Sequence, residues 1–143
     1  DSRLPRDEMH KAIQNADVLW LAGGDTQNQF AYLSEYGLIS LIRDFKGVVI
    51  GISAGAINMA KTAICTLTCR HRKQEVYQGL GLVDYSVEPH FDPVNISSEL
   101  LSLSEDYVIY GLCDEAVILC DEHRTIFVGD IYLLCKGIVH KIR

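Results

Sequence analysis

The stretch GVVIGISAGAINMA, residues 47–60, decides the fold. It opens with a short apolar run, which is typical of a β-strand buried on both faces. Residues Ala54 to Lys61 are rich in small side chains and predict a helix. Between the two, Gly51, Ser53 and Gly55 form the pattern G-x-S-x-G, in which small residues permit a sharp strand-to-helix turn. The stretch predicts either a tight turn that needs small residues or a turn that presents Ser53 as a nucleophile.

An earlier junction has the same character. Residues Val18 to Ala22 are another apolar run, and it ends at Gly23-Gly24-Asp25-Thr26. Helical spacing follows from Gln27 to Tyr36 and again from Leu38 to Phe45, before the strand Val48 to Ile50. Two buried strands with helices between them form a βαβ unit and therefore a parallel pair. The predicted class is α/β, with a mostly parallel sheet flanked by helices.

The rest of the chain extends this sheet. Residues 83–91 (VDYSVEPHF) predict a strand that ends in a turn, and Asn95 to Leu103 predict a short helix. The last third contains short apolar runs separated by Gly, Asp and Glu, which predict hairpin strands. The 143 residues contain no repeat or linker, so one domain is expected over residues 1–143.

Composition excludes several classes of function. The net charge of −6 argues against a nucleic-acid partner, and no apolar stretch approaches the roughly 18 residues of a membrane span. The five cysteines are an odd number set mostly in apolar segments, which indicates a reducing, cytoplasmic location. Cys65, Cys69 and His71 lie close in sequence, but their spacing matches no common zinc pattern, and we expect no metal.

The carboxyl ends of parallel strands are where open α/β sheets bind ligands. There, the backbone N–H of Ala54 would face an oxyanion formed at Ser53, and Gly24 in the neighbouring turn is the candidate second donor. Each such donor is typically worth roughly 3 kcal/mol of the barrier. A serine also needs a base. His90 stands at the mouth of the sheet after a proline, which suits a base, although a packing histidine is the alternative.

The acid that would hold the histidine is less defined. Asp114 and Glu115 lie between two predicted strands, and either could reach inward. The other candidate acids are Glu75, Glu88 and Asp92. Two chain orders compete: serine, histidine, acid through His90, or the serine, acid, histidine order of α/β-hydrolases through His140.

Four segments carry a family resemblance: LAGGDTQNQF (21–30), GVVIGISAGAINMA (47–60), GLGLVDYSVEPHF (79–91) and YGLCDEAVIL (110–119). In order and spacing they resemble the peptidase E (α-aspartyl dipeptidase) family of serine peptidases, to which cyanophycinase is related. The resemblance covers nearly the whole chain. It implies a type 1 glutamine amidotransferase-like, flavodoxin-like fold.

The resemblance also implies roles for residues. The family nucleophile falls on Ser53 and its histidine on His90. The family motif Gly-Gly-Gly-Asn-Thr reads Ala-Gly-Gly-Asp-Thr over residues 22–26, which puts the oxyanion glycine at Gly24 and assigns Asp25 and Thr26 to substrate binding. The family motif Gly-Leu-Pro-Glu reads Gly-Leu-Cys-Asp over residues 111–114, so alignment favours Asp114, while the longer side chain of Glu115 reaches further.

Two departures from the family pattern bear on function. Family members carry roughly another strand–helix–strand before Val18, so the resemblance implies that this segment is missing, and a partner such as a second copy is one way to complete the sheet. The segment after His90 has no arginine, which an aspartyl-specific site would want. The nearest basic residues are Arg70, Arg72 and Lys73.

The sequence therefore predicts a serine peptidase that hydrolyses small peptides, a dipeptidase with Asp-Xaa as one candidate substrate, and needs no metal or organic cofactor. Two alternatives stay open. One is an α/β-hydrolase-like esterase that uses His140. The other is a non-catalytic amidotransferase-like protein that binds a small ligand.

Overall fold

The structure, a computed structural model, describes residues 3–69, 71–121 and 123–142. The helices in these residues are α1 (Arg6–Gln14), α2 (Thr26–Glu35), α3 (Ile39–Arg43), α4 (Ala54–Met59) and α5 (Ser98–Asp106). The strands are β1 (Val18–Leu21), β2 (Val48–Gly51), β3 (Thr62–Cys65), β4 (Glu75–Gln78), β5 (Ser86–Pro89), β6 (Ile109–Leu112), β7 (Val117–Cys120), β8 (Thr125–Val128), β9 (Ile131–Cys135) and β10 (Ile138–Lys141). No helix of this part of the chain is long and apolar enough to cross a membrane.

Strands β1 and β2 form the predicted parallel pair. Their register runs from Val18 opposite Val48 to Leu21 opposite Gly51, so the two strands end at the same level. The N–H of Ile52 then donates to the carbonyl of Leu21 at 3.0 Å, which ties the two following turns together. The βαβ prediction is confirmed, and the turns that carry Gly24 and Ser53 lie side by side.

Helix α4 packs against these strands at very short range. A Cβ added at Gly55 would overlap the carbonyl group of Leu21, and one added at Gly51 would overlap Met59 and the backbone of Ala56. Only glycine permits this approach. Both glycines of the G-x-S-x-G pattern are therefore required by packing, and they hold the start of α4 against the ends of β1 and β2.

A second sheet has the strand order β10-β9-β6-β5. Its β5–β6 pair is parallel, with Pro89 opposite Leu112, so these two strands also end at one level. Helix α5 packs on this sheet and contributes Leu100 and Leu103 to the apolar core. The ring of Phe91 lies against the backbone of Gly111, where any side chain would collide with it. This packing fixes the chain that follows β5.

The α/β class and the C-terminal hairpin strands are confirmed, but the strand pairing is mixed rather than mostly parallel. Among the described residues, β1–β2 and β5–β6 pair in parallel, whereas β3–β4, β7–β8, β6–β9 and β9–β10 pair antiparallel. The sequence signal blurred from about Ala63, and the β3–β4 hairpin lies there. Short connections of this kind can join only antiparallel neighbours.

The prediction that β1 and β2 are buried on both faces is wrong. Leu19, Leu21 and Val49 pack into the core on the helix-bearing face. On the opposite face Val18, Trp20, Val48 and Ile50 are exposed, Trp20 by 62%. The apolar runs therefore predicted the strands correctly but not the burial of both faces. The second face is exposed because no helix of the described residues covers it.

The close approach of α4 to β1 gives a stability prediction. We expect Gly55→Ala to lower the free energy of unfolding by about 3 kcal/mol, because the methyl group meets backbone that cannot move aside. Urea unfolding measures this change. The matched control is Gly23→Ala, whose Cβ would meet the Ser53 Cβ at an ordinary 3.5 Å and should change stability by less than about 1 kcal/mol. Equal effects of the two substitutions would contradict this account of the junction.

Candidate active site

Ser53 occupies a strained turn between β2 and α4. Its φ of 50° and ψ of −109° lie in a region that non-glycine residues rarely adopt, and the surrounding packing at Gly51 and Gly55 enforces it. The side chain is half-buried at the end of the strand. Ala54 follows as the first residue of α4, where a backbone N–H has no partner within the helix. The strained strand-to-helix turn is the geometry that a nucleophile elbow requires, and the role of Ser53 stays a prediction.

The His90 imidazole bridges Ser53 and Asp114. Its Nδ1 lies 2.8 Å from Asp114 Oδ1, and its Nε2 lies 3.3 Å from Ser53 Oγ. A carboxylate only accepts hydrogen bonds, so the ring proton is assigned to Nδ1, and Nε2 is then free to accept the hydroxyl proton of Ser53. The slightly long bond to Ser53 is common in unliganded active sites.

Asp114, rather than Glu115, is the acid that contacts His90. Both residues lie in a turn closed by the N–H of Ala116, which donates to the carbonyl of Cys113 at 3.1 Å. Glu115 takes the left-handed position of this turn, with φ 67°. The contact with His90 is made by Asp114 alone of the two, since adjacent residues in a tight turn point their side chains in different directions.

The other candidate residues lie elsewhere. Glu75 pairs with Lys73 and with the Gln27 amide, and Asp92 accepts from the N–H of Val94 at 2.9 Å. His140 lies in β10, at the opposite edge of the four-stranded sheet from β5, which ends next to His90. Strands are spaced by roughly 4.8 Å, so His140 is some three strands away from the serine's partner.

The site is open to solvent. The side chain of His90 is 65% exposed and that of Asp114 is 83% exposed. Charges in such a place are well screened, and the ion pair that forms when His90 is protonated contributes little to stability. Its geometry is held instead by the strand ends, because β5 and β6 terminate at the same level.

The turn after β1 lies against the serine. A Cβ at Gly23 would come within 3.5 Å of the Ser53 Cβ, and Gly24 has a φ of 137°, which favours glycine strongly. The oxyanion roles of Gly24 and Ala54 stay predictions. A cleft of about 340 Å³ begins at Gly23 and is lined further along by Asp25, Asn28, Gln29 and Tyr32 among others.

Asp25 and Thr26 have structural partners. The Asp25 carboxylate caps α2 by accepting from the N–H of Asn28 at 2.9 Å, yet it also lines the cleft. Thr26 is 1% exposed, and its hydroxyl lies 2.8 Å from His71 Nε2. The predicted substrate contact through the Thr26 side chain is therefore unsupported, because this side chain is buried.

Asn58 organises a polar cluster beneath the turn. This side chain is 0% exposed, and its amide donates to the Thr26 carbonyl at 2.9 Å and to Gln29 Oε1 at 3.0 Å. Its oxygen accepts from the Tyr77 hydroxyl at 2.7 Å. Gln29 in turn donates to the Ala22 carbonyl. The Gly23-Gly24 turn is thereby fixed from below, a role that no sequence pattern had indicated.

Glu88 and Thr66 form a buried pair beneath the histidine. Glu88 is 1% exposed, and the Thr66 hydroxyl donates to its carboxyl oxygens at 2.8 and 3.0 Å. Burial raises the pKa of Glu88 to about 7. The hydrogen bonds from Thr66 and Cys69 lower this pKa, but by less than burial raises it. From the sequence, Glu88 is only an alternative acid. The available signal was its place in β5, two residues before His90.

The cysteines and the basic run add no further site. Burial raises the pKa of the Cys65 thiol to about 11, and Cys69 donates to the Pro89 carbonyl. Within the described residues no group of His, Cys, Asp and Glu side chains could hold a metal. Arg72 is exposed next to the His71 loop, whereas Arg70 lies outside the described residues.

Comparisons with known proteins agree with the α/β fold. The sequence model of peptidase family S51 matches residues 2–128, and the chain therefore belongs to that family. Its fold is similar to the crystal structure of a candidate peptidase E protein from Listeria monocytogenes EGD-e, with a TM-score of 0.68 and 22% identity. The alignment covers 85% of this chain and 64% of that one, so this chain spans less than two thirds of the bacterial protein. No curated protein matches the chain.

The predicted peptidase E resemblance and the α/β class are thus confirmed. At this level of identity the structural likeness establishes the fold alone. The activity and the roles of individual residues have to be argued from the geometry of the site.

The Asn58 cluster gives a second stability prediction. We expect Asn58→Ala to lower the free energy of unfolding by about 2 to 3 kcal/mol, because it leaves the Thr26 carbonyl and the Tyr77 hydroxyl buried without this partner. Tyr77→Phe removes a single hydrogen bond and should cost about 1 kcal/mol. Both changes are measured by urea unfolding. If the two variants were equally stable, Asn58 would not be the centre of the cluster.

Proposed function

We propose that this chain is a serine peptidase that hydrolyses small peptides through an acyl-enzyme on Ser53. The observation that carries the proposal is the continuous arrangement of Ser53, His90 and Asp114, with the serine on a strained turn. Membership of peptidase family S51 supports the same reaction class.

The reaction follows from the proton positions. His90 Nε2 removes the hydroxyl proton as Ser53 Oγ attacks the peptide carbonyl carbon, and the carbonyl π electrons move onto its oxygen. The backbone N–H groups of Gly24 and Ala54 are proposed to bind that oxyanion. The imidazolium then gives its proton to the departing amine as the C–N bond breaks, which leaves an ester on Ser53. Water, deprotonated by the same nitrogen, hydrolyses the ester and restores the serine.

Asp114 has the role of orienting this base. Its carboxylate accepts from Nδ1, which keeps the proton on that nitrogen and leaves Nε2 directed at Ser53. It also stabilises the imidazolium that forms during attack. Because both side chains are largely exposed, we expect a smaller contribution from Asp114 than a buried acid would make.

The cleft beside Gly23 is the proposed binding site for a side chain or terminus of the peptide, and its lining would determine which substrate is preferred. Its volume of about 340 Å³ suits a small ligand, and Asp25 supplies a carboxylate in its wall. A free peptide amine would be attracted to that carboxylate. For Asp-Xaa substrates the exposed Arg72 is a candidate basic residue, and its substitution tests that specificity.

Of the alternatives, the esterase that uses His140 has no geometric support, because His140 lies at the far edge of the sheet. Measuring the turnover of peptides distinguishes a serine peptidase from the non-catalytic ligand-binding alternative.

The first test is release of amino acids from a dipeptide panel that includes Asp-Xaa, neutral and Lys-Xaa peptides. We expect turnover that Ser53→Ala abolishes, by at least about 1,000-fold, because no other hydroxyl lies beside His90 Nε2 in the described part of the chain. The exposed Ser102 on α5 provides the matched control, and Ser102→Ala should retain full activity. Turnover that survives in Ser53→Ala would refute the mechanism, and no turnover in any protein would favour the ligand-binding alternative.

The acid is tested by two amide substitutions. We expect Asp114→Asn to lower kcat by roughly 100-fold with little change in KM, because the amide can no longer hold the required tautomer of His90. Glu115→Gln, in the same turn, should stay within about twofold of the wild type. Steady-state kinetics on the best dipeptide measure both, and the reverse order of effects would assign the acid to Glu115.

A further inference from the structure

We propose that Glu88 is a positioning residue for His90, whose buried carboxylate holds the end of β5 and acts electrostatically on the imidazole. The effect on catalysis rests on the proposed function. The interaction between the side chains of Glu88 and His90 does not depend on it. Glu88 neither contacts Ser53 nor belongs to the turn that would bind substrate.

Glu88 lies within β5, two residues before His90. The strand ends at Pro89, and His90 follows it in a turn with a φ of 56°. Glu88 is 1% exposed, whereas the side chain of His90 is 65% exposed. A buried carboxyl therefore belongs to the last part of the strand that carries the exposed base.

A set of hydrogen bonds anchors the Glu88 carboxyl. Thr66, which follows β3, donates its hydroxyl to both oxygens of Glu88, and the N–H of Cys69 donates to the Thr66 hydroxyl at 3.1 Å. Cys69 Sγ also donates to the Pro89 carbonyl at 3.1 Å. The residue just before His90 is thus held by the loop that holds Glu88. Any shift of this loop would move the imidazole relative to Ser53.

The same loop reaches the other half of the site. His71 Nδ1 donates to the Thr66 carbonyl at 3.0 Å, and its Nε2 lies 2.8 Å from the hydroxyl of Thr26, two residues after Gly24. Thr66 therefore connects the strand end that carries His90 with the turn that carries Gly24. Glu88 is the only charged residue among the buried polar side chains of the described residues, which gives this connection an ionisable centre.

The charged groups around Glu88 favour an interaction with His90. The titratable groups that face Glu88 are Cys69 from the loop, Glu99 from α5 and His90 itself. From β6 the residue opposite Glu88 is Gly111, which has no side chain. Burial raises the pKa of the Cys69 thiol far above neutrality, so this group stays uncharged. Glu99 accepts from the N–H of Leu67, and its charge raises the pKa of Glu88 further. His90 is the one facing group that a Glu88 carboxylate attracts when charged.

The expected effect depends on pH with a definite sign. The pKa of Glu88 is raised to about 7, so above pH 7 it is a carboxylate that favours the imidazolium formed when His90 takes the serine proton. Below pH 7 Glu88 is neutral and no longer stabilises this imidazolium. We expect Glu88→Gln to lower kcat/KM by roughly fivefold at pH 8.5 and to leave it unchanged at pH 5.5. A merely structural role would give the same ratio at every pH.

Stability gives an independent readout of the same ionisation. The pKa of Glu88 lies above its ordinary value of 4.5 in the folded protein, so the neutral carboxyl stabilises the fold fully below about pH 4.5, and this contribution is lost as the pH rises through 7. The urea midpoint of the wild type should therefore fall across this window relative to that of Glu88→Gln, whose side chain cannot ionise.

The decisive experiment combines the pH profile of kcat/KM with NMR of the His90 ring, assigned by its loss in His90→Gln. We expect the ring signals of the wild type and of Glu88→Gln to differ at pH 8.5, where Glu88 is a carboxylate, and to coincide at pH 5.5, where Glu88 is neutral. Glu88→Asp, which keeps an ionisable acid, should behave like the wild type. The matched control is Asp92→Asn, two residues beyond His90, because its exposed carboxylate is screened and should leave both readouts unchanged.

Identical ring signals of the wild type and Glu88→Gln at pH 8.5, or a wild-type to variant ratio of kcat/KM that does not vary with pH, would overturn the proposal. The ring signals need no substrate. If no peptide is turned over by the wild type, the proposed function fails while the ring signals still decide the role of Glu88. If Glu88→Gln does not fold, a wild-type urea midpoint that does not fall between pH 4.5 and pH 7 is sufficient to reject the proposal.

Discussion

The contact on which the site depends is the approach of α4 to the carboxyl ends of β1 and β2. Gly55 lies so close to the Leu21 carbonyl that no side chain fits between them. With the helix start held there, the two residues between strand and helix must turn sharply, and Ser53 takes a left-handed conformation. The strain at the serine is thus maintained by packing, since the glycines on either side pack tightly enough to enforce it.

The remaining parts of the site come from a second place where parallel strands end together. Strands β5 and β6 terminate at the same level, and the residues that follow them, His90 and Asp114, meet beyond the sheet edge. Each of the three groups therefore lies just after a different strand. Such a site is precise because strand register sets it, and it is open because nothing in the described residues lies over it.

Polar side chains support both strand ends from the interior. Asn58 fixes the turn with Gly24, while Glu88 and Thr66 lie under His90, and His71 joins the two regions through Thr26. Such networks are costly unless every member is paired, and among the described residues no buried side-chain polar atom lacks a partner. They restrict the strand ends to one arrangement, which apolar packing alone defines less sharply.

The sequence by itself determined the α/β class and the two strand-to-turn junctions, and it predicted Ser53 and His90 as candidate site residues, because apolar runs, glycines and a proline report local backbone geometry. It could not choose between Asp114 and Glu115, assign Thr26 to the interior, or show that Trp20 is exposed. Those outcomes depend on side-chain direction within a turn and on which faces are covered. The pairing of Glu88 with Thr66, 22 residues apart, likewise arises only when β3 and β5 are brought together. Tertiary contacts decide such features, since no local pattern encodes which distant residues share a buried space.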